Sequence, residues 1–232
     1  ASSDYVSYAH QQNIEVWMTV RDFDGGISSE QESYELLSYT SRRETLITQL
    51  IAEALRVGVD GINVDFEKIS DKCGEHYIEF IRELSVKCRQ NGLVLSVDNY
   101  VPKSFNTQYD RKEQGIVADY VVIMGYDEYY AGSSEAGPVA ELPWVESGIR
   151  ATLQEGVPKE KLLLGMPLYM RLWSETNGKA KSRTLHMPEA QKLWQQKQAE
   201  RSWVPESGLY YYEYTEQGTR YRVWQEDARS LA

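Results

Sequence analysis

The chain has 232 residues, a length that suits one large domain. Hydrophobic residues make up 41% and charged residues 26% of the sequence, which is ordinary for a soluble globular protein. The net charge of −10 argues against nucleic acid or an anionic lipid surface as a partner, and no apolar run approaches the roughly 20 residues of a membrane-spanning helix.

Helices and strands alternate along the predicted structure, which begins with a short helix near 3–11. Further helices are predicted at about 41–57, 74–91, 109–117 and 142–155. The predicted strands are 14–20, 60–67, 93–100, 119–127 and 161–169. Residues 21–40 are predicted to form a long polar and aromatic loop. This alternation predicts an α/β fold with a parallel sheet covered by helices.

Residues 174–222 have a different pattern, which predicts a small α+β insertion. A basic polar loop contains Lys179, Lys181 and Arg183, and a helix is predicted at 188–199. The segments YYYEY and RYRVW are two predicted strands. Glu216, Gln217 and Gly218 separate these strands in the manner of a hairpin turn.

The segment DGINVDFE, residues 60–67, is the most informative stretch of the chain. In a strand, alternate side chains point to the same face, so Asn63, Asp65 and Glu67 share one face and apolar residues occupy the other. Two carboxyl groups side by side on a half-buried face repel each other, and one of them tends to hold a proton. This arrangement suits a general acid beside a negatively charged stabilising group.

An acidic run after a glycine is also common in a solvated strand end or a loop. Here the flanking sequence favours a buried strand. Apolar residues recur at helical spacing from Leu46 to Leu55, and Gly58 marks the end of that helix. The strand therefore follows a helix directly, as in a repeated βα unit.

The two cysteines are predicted to be free thiols. Cys73 and Cys88 flank most of a predicted helix at 75–89, which spans about 22 Å. A disulfide requires Cα atoms within about 7 Å of each other. His10, His76 and His186 are isolated from the cysteines and from one another, so the sequence predicts neither a metal site nor a metal cofactor.

Three motifs together resemble the family-18 glycoside hydrolases. The octet at 60–67 resembles their catalytic signature DG-x-D-x-D-x-E, with Asn63 where most members carry Asp. MGYD at 124–127 resembles the M-x-Y-D motif of their sixth barrel strand, and GMPLYMR at 165–171 resembles the seventh-strand G-x-P-x-Y-x-R. WQED at 224–227 resembles bacterial members that act on peptidoglycan and spore cortex.

The resemblance implies a TIM (β/α)8 barrel of which this chain holds about strands 3–7. Residues 1–173 would form the barrel portion, 174–222 the α+β insertion after strand 7, and 223–232 the return to the barrel. Because the acidic motif belongs to strand four of the family, two strands are expected to precede this segment and the eighth to follow residue 232. The site is expected at the C-terminal ends of the strands.

The implied activity is retaining, substrate-assisted hydrolysis of β-1,4 bonds in glycans that contain N-acetylglucosamine, such as peptidoglycan or chitin. Glu67 is the expected acid and base, Asp65 orients the acetamido N–H, and Tyr126 binds the acetamido oxygen. Asn63 is expected to donate a hydrogen bond to Asp65. The expected substrate contacts are Asn63, Met124, Asp127, Tyr169, Arg171 and Trp173. Tyr130 and Trp224 are further candidates for stacking on sugars, and no cofactor is expected.

A non-catalytic, chitinase-like lectin is the alternative function. Inactive relatives usually lose the terminal acid of the motif, so the presence of Glu67 favours an enzyme. Taken singly, Tyr126 also fits a core tyrosine and Arg171 a surface ion pair. The expected location is outside the cell or on the wall or spore of a bacterium, although no signal segment is visible in this chain.

Overall fold

The computed structural model describes residues 2–22 and 29–232. Its α-helices are α1 Ser3–Gln11, α2 Glu30–Leu37, α3 Thr40–Val57, α4 Gly74–Gln90, α5 Arg111–Val117, α6 Leu142–Glu155 and α7 Met187–Lys197. The strands of one sheet are β1 Trp17–Arg21, β2 Gly61–Asp65, β3 Val94–Tyr100, β4 Tyr120–Met124 and β5 Leu162–Gly165. Those of the other are β6 Tyr169–Thr176, β7 Lys179–His186, β8 Arg201–Val204, β9 Leu209–Glu216 and β10 Thr219–Gln225.

The first sheet is parallel and has the order β1-β2-β3-β4-β5, which confirms the predicted α/β alternation and its five strands. In its register, Thr19 lies opposite Asn63, and Asn63 lies opposite Ser96. The carboxyl ends of β1, β2 and β3 therefore lie at one edge of the sheet. Side chains that follow these strands are brought close together there.

The chain forms two compact units, Ala1–Ile123 with Ala151–Leu163, and Met124–Arg150 with Leu164–Ala232. In the first unit, the apolar face of β2 packs with apolar residues of α3 and α4 in one core. Helix α3 ends where Gly58 takes up a left-handed conformation with φ 82°, and its N–H donates to the carbonyl of Ala54. The helix thus reverses within a few residues into β2.

Asp60, the first residue of the acidic motif, holds the start of β2 in the first unit. Its Oδ2 accepts the backbone N–H of Val16 at 2.7 Å and lies 2.8 Å from Nε2 of His10. Burial raises the pKa of this carboxyl, but the bonds from Val16 and His10 outweigh that effect, and the net pKa is lowered. The carboxylate therefore stabilises the fold when it is ionised.

In the second unit, the antiparallel sheet has the order β7-β6-β10-β9-β8. Buried residues of its strands form a core with Ala190 of α7. The predicted hairpin is confirmed: β9 and β10 pair across Gln217 and Gly218, both of which have positive φ. The predicted helix at 188–199 is α7.

Two predicted loops contain regular structure. Within 21–40 the described residues form α2, whose N-terminus is capped by the Ser29 side chain accepting the N–H of Glu32. Residues 23–28 of that predicted loop lie outside the described part of the chain. The predicted basic loop is β7, an edge strand in which exposed Lys179, Lys181 and Arg183 alternate with other residues. Charged residues are typical of edge strands, which must avoid pairing with other chains.

The predicted strand 161–169 is wrong in its extent. The parallel strand β5 ends at Gly165, and β6 begins the antiparallel sheet at Tyr169. The strands of that sheet thus extend beyond 174–222 on both sides, while the division into 1–173, 174–222 and 223–232 stays a prediction. Cys73 and Cys88 are buried free thiols, as predicted, and burial raises the pKa of each to about 12. None of the helices among the described residues is long and apolar enough to cross a membrane.

Replacing Asp60 with Asn is expected to lower the free energy of unfolding by about 1.5–3 kcal/mol at neutral pH, because hydrogen bonds to a charged group are lost. Since folding lowers the pKa of Asp60, its contribution is present above the unfolded pKa of about 3.9 and disappears as the pH falls through the folded value. Urea unfolding at several pH values measures this difference. Glu44→Gln, at an exposed carboxylate on α3, is the control; an equal loss in both variants, or one that persists at pH 2, would contradict the role of Asp60.

Candidate active site

The polar face of β2 is formed as its alternation predicts. Ile62, Val64 and Phe66 are 0%, 0% and 2% exposed, whereas Asn63 and Asp65 are only partly buried on the other face. Glu67 lies two residues beyond the end of β2 and is also partly exposed. Asp65 and Glu67 therefore lie on the same face at the carboxyl end of β2, an inner strand of the sheet.

Strand β3 adds a second polar row, Ser96, Asp98 and Tyr100, beside the first. The Asn63 amide donates both of its N–H groups to this row, to Ser96 Oγ and to Asp98 Oδ1, each at 2.9 Å. The expected bond from Asn63 to Asp65 is therefore wrong. An amide has only two N–H donors, and β3 accepts both.

Asp65 lies in an environment that disfavours its charge. Burial raises its pKa to about 7, and the charges of Asp98, Glu67 and Asp22 act in the same direction. Its Oδ1 atom is buried and has no hydrogen-bond partner among the residues that the structure describes. Burial also raises the pKa of Asp98, although the bond from Asn63 opposes this shift.

Tyr100 holds the carboxyl group of Glu67 through a short hydrogen bond from its hydroxyl to Oε2. Burial and this bond raise the pKa of Tyr100, so the phenol stays a donor. The Tyr100 carbonyl accepts from Nε of Arg111 at 3.2 Å. Arg111 is fully buried and also donates to Asn106 Oδ1 at 2.7 Å and to Glu155 Oε2 at 3.1 Å. Its planar guanidinium thus anchors the end of β3.

Asp22 fixes the backbone at the catalytic end of β2. It follows β1 directly and is fully buried. Oδ1 accepts the N–H of Glu67 at 2.7 Å, and Oδ2 accepts the N–H of Lys68 at 2.8 Å and the hydroxyl of Ser33 at 3.2 Å. Two backbone donors and one side-chain donor satisfy this buried charge, and the position of Glu67 is set by it.

Sequence reasoning missed Asp22, Asp98 and Tyr100. A signal was available, because S-x-D-x-Y at 96–100 alternates in the same way as N-x-D-x-E at 63–67. Parallel strands that end together place two such rows side by side. Asp22 also follows a predicted strand, but it falls within the predicted loop at 21–40.

In the second unit, Tyr169 and Asp127 form a hydrogen-bonded pair. The Tyr169 hydroxyl donates to Asp127 Oδ1 at 2.7 Å, and the rings of Tyr126 and Tyr169 meet edge to face with centroids 6.3 Å apart. Asp127 has φ 61°, a left-handed conformation that turns the chain sharply after β4. Strand β4 ends at Met124, earlier than the predicted strand 119–127, so Tyr126 and Asp127 lie just beyond it, whereas Tyr169 lies on β6.

Two further predicted sugar contacts in this unit, Arg171 and Trp173, form hydrogen bonds to other residues of the protein. Arg171 donates from Nε to Ser182 Oγ at 2.8 Å on the neighbouring strand β7. Trp173 is 0% exposed, and its indole N–H donates to the carbonyl of Gly137 at 2.8 Å. We therefore interpret Trp173 as a packing residue, because a stacking surface for sugars must be accessible. Met124 is buried at the end of β4, while Tyr130 is 56% exposed and Trp224 partly exposed.

No group of three or more His, Cys, Asp or Glu side chains that could hold a metal ion occurs within residues 2–22 and 29–232. The chemistry that the first unit offers is that of carboxyl groups. Glu67 is held by a donor on one oxygen, which leaves the other free to carry a proton. A neighbouring carboxylate at the same strand end can stabilise positive charge in a reaction intermediate.

Comparison with known proteins identifies the family. The family model for glycosyl hydrolases family 18 matches residues 5–232. The cortical fragment-lytic enzyme of Bacillus subtilis is 27% identical over 240 residues, which cover 97% of this chain and 54% of that protein. The chain spans about half the length of the curated relatives that it matches first.

Solved structures show the same fold. A chitinase from Chromobacterium violaceum is 27% identical with a TM-score of 0.88, covering 99% of this chain and 73% of that one. The spore cortex-lytic enzyme SleL of Bacillus cereus also has a TM-score of 0.88, at 22% identity, and the match covers 99% of this chain and 54% of that one. The fold is therefore a TIM-barrel-like α/β fold. The chain belongs to the glycosyl hydrolases of family 18.

Proposed function

We propose that this protein hydrolyses β-1,4 bonds in glycans that contain N-acetylglucosamine, by a retaining and substrate-assisted mechanism. The observation that supports this most directly is the placement of Asp65 and Glu67 on one face at the end of β2, with Glu67 held by Tyr100. The acetamido oxygen of the substrate attacks its own anomeric carbon, and the bond to the leaving sugar breaks. An oxazolinium ion forms, which water then opens.

Glu67 donates the proton to the leaving oxygen in the first step and takes a proton from the attacking water in the second. The Tyr100 hydroxyl occupies Oε2, so Oε1 carries the transferred proton. The bonds from the Glu67 and Lys68 N–H groups to Asp22 keep the backbone fixed while the side chain works. Such positioning contributes several kcal/mol to the lowering of a barrier.

Asp65 accepts the acetamido N–H and offsets the positive charge of the oxazolinium ion. By the resemblance to the family, Tyr126 binds the acetamido oxygen, and Asp127, Tyr169 and Arg171 bind hydroxyl groups of the substrate. We assign no direct sugar contact to Asn63, which donates to β3, or to Met124, which is buried. No cofactor takes part in this mechanism.

Peptidoglycan and chitin are both candidate substrates. The names of the relatives divide in the same way, since one is a cortical fragment-lytic enzyme and another a chitinase. We place the protein outside the cell, on the wall or spore of a bacterium, because its bacterial relatives include sporulation and cortex-lytic proteins. Its division into a barrel portion (1–173, 223–232) and an insertion (174–222) belongs to the same proposal.

A sugar-binding protein without activity is the second candidate. It has the same family and fold, but it would bind glycans without turnover. Release of reducing ends from purified sacculi, spore cortex and colloidal chitin distinguishes the two candidates, because binding alone releases none. Product of β-configuration at early times would establish retention, whereas α-product would exclude the proposed mechanism.

Replacing Glu67 with Gln is expected to reduce turnover by at least roughly 10²–10⁴-fold, because Gln cannot donate the proton. Gln keeps the shape and can still accept from Tyr100, so binding of oligosaccharides is expected to stay close to that of the wild type. Kinetics and calorimetric binding measured on the same preparation test both statements. Retention of more than a tenth of the wild-type turnover would exclude Glu67 as the acid.

Turnover is expected to require an acetamido group on the sugar at the cleaved bond, since that group is the nucleophile. Fully deacetylated glucosamine polymers and cellulose should be inert, and a thiazoline mimic of the oxazolinium ion should inhibit. Product assays on acetylated and deacetylated chitin oligomers of the same length make this comparison. Trapping of a covalent sugar on a carboxylate would overturn the mechanism.

Replacing Tyr100 with Phe is expected to lower kcat by about tenfold with little change in KM, because one hydrogen bond that orients Glu67 is lost. Steady-state kinetics on a defined oligosaccharide measures the effect. Tyr5→Phe, which removes an exposed hydroxyl from α1, is the control and should leave both constants unchanged. Equal kcat values for the two variants would show that Tyr100 does not orient the acid.

A further inference from the structure

Two carboxyl groups lie opposite each other on β2 and β3. The strands are parallel, with Asn63 opposite Ser96 and Val64 opposite Val97. Continued by one residue, this register brings Asp65 opposite Asp98. Neighbouring strands are about 4.8 Å apart, and opposite residues point to the same face of the sheet. Asp65 and Asp98 are therefore neighbours at the catalytic end of the sheet.

The surroundings of Asp65 and Asp98 make it unfavourable for both carboxyl groups to be ionised. Both carboxyl groups are partly buried, and Glu67 and Asp22 add negative charge beside Asp65. Asp98 Oδ1 accepts the Asn63 amide, whereas Asp65 Oδ1 is buried and has no partner within the described residues. When two carboxylates share a site, one of them retains a proton. A proton between them would also satisfy the unpaired Asp65 oxygen.

We propose that Asp98 is a positioning residue of the active site, which shares one proton with Asp65 and is fixed for this bond by Asn63. The role in catalysis rests on the proposed function; the shared proton does not. Nothing is consumed: one proton stays within the pair, and the pair carries one negative charge.

The shared proton allows Asp65 to accept the acetamido N–H of the substrate as an ionised carboxylate. With the proton on Asp98 Oδ2, that hydroxyl donates to Asp65 Oδ1, and Asp98 Oδ1 still accepts from Asn63. Asp65 is then ionised and turns its second oxygen to the acetamido N–H of the substrate. Asn63 cannot replace Asp98 in this role, because an amide has no proton to share at these pH values and both of its donors are engaged.

The other groups that act on this pair come from neighbouring elements. The ionisable groups concerned are Arg21 and Asp22 at the end of β1, Glu67 after β2, and Tyr77 on α4. Arg21 lowers the pKa of Asp65, while Glu67 and Asp22 raise it in the same direction as burial and Asp98. The raised value of about 7 is thus a property of the cluster, to which Asp98 contributes the largest charge effect after burial.

The experiment follows the aspartate carboxyl carbons by ¹³C NMR across pH in the full chain, with Asp65 assigned by the loss of its signal in Asp65→Asn. In the wild type, the Asp65 signal is expected to report the loss of the proton that the Asp65–Asp98 pair shares, near pH 7. Asp98→Asn keeps an acceptor for Asn63 and a donor for Asp65 but removes the second carboxyl group. The midpoint of Asp65 is then expected to fall by about one pH unit or more.

Ser96→Ala is the matched control, because it removes the other acceptor of Asn63 without changing any charge. It is expected to leave the midpoint of Asp65 in place. An unchanged midpoint in Asp98→Asn, or an equal shift in Ser96→Ala, would overturn the shared proton. Melting curves establish that each variant is folded, and Asp98→Asn is nearly isosteric with the wild type.

Turnover tests the positioning role separately. Asp98→Asn is expected to keep kcat/KM within about tenfold of the wild type, because a donor to Asp65 remains, whereas Asp98→Ala should lose about 10²-fold. Equal loss in the two variants would overturn the positioning role. If Asp98→Ala does not fold, the NMR titration of Asp98→Asn decides. A shifted midpoint in a protein with no hydrolysis even as wild type would support the shared proton and overturn the proposed function.

Discussion

Parallel pairing of β1, β2 and β3 brings four carboxyl groups to one place. Asp22 follows β1, Asp65 and Glu67 belong to the end of β2, and Asp98 belongs to β3. Their negative charges repel one another, and the edge of the sheet is only partly open to water. Each of these carboxyl groups therefore needs a hydrogen-bond donor or a proton, and residues of several elements of this unit supply donors.

Three of the four groups have donors in the structure. Asp22 accepts backbone N–H groups, Asp98 accepts an amide, and Glu67 accepts a phenol. These donors leave the groups with different tasks, because a carboxylate bound by backbone is a fixed anchor, while one bound by a single phenol keeps an oxygen for chemistry. Among the four, Asp65 alone has a buried oxygen without a donor in the described part of the chain, and burial together with the neighbouring charges raises its pKa to about 7. The buried Arg111 donates to the carbonyl of Tyr100 and so fixes the backbone of the residue that binds Glu67.

The sequence was most predictive where a pattern repeats with the period of a strand. Alternation in DGINVDFE placed Asp65 and Glu67 correctly on one polar face, and the α/β alternation gave the five parallel strands. Prediction from sequence failed where a contact joins residues on different strands or helices. The donor pair of Asn63 was misassigned because Asp98 is 35 residues away in sequence and close only through strand pairing. Helix α2 and strand β7 are largely polar, and their pattern resembles that of loops. The predicted sugar contact of Trp173 is wrong because sequence alone does not reveal that its ring is buried.

The hydrogen bond between Asn63 and Asp98 also bears on how such a site can change over evolutionary time. If positions 63 and 98 both carried Asp, four carboxyl groups (63, 65, 67 and 98) would crowd the ends of β2 and β3 without an amide between them. If both carried Asn, no carboxyl group on β3 would remain to share a proton with Asp65. A single substitution at either position thus passes through a poorer arrangement, while an exchange of both residues preserves one acid and one amide. Positions 63 and 98 lie on different strands but are coupled in this sense, and an acid can move from β3 to β2 without loss of the charge pattern.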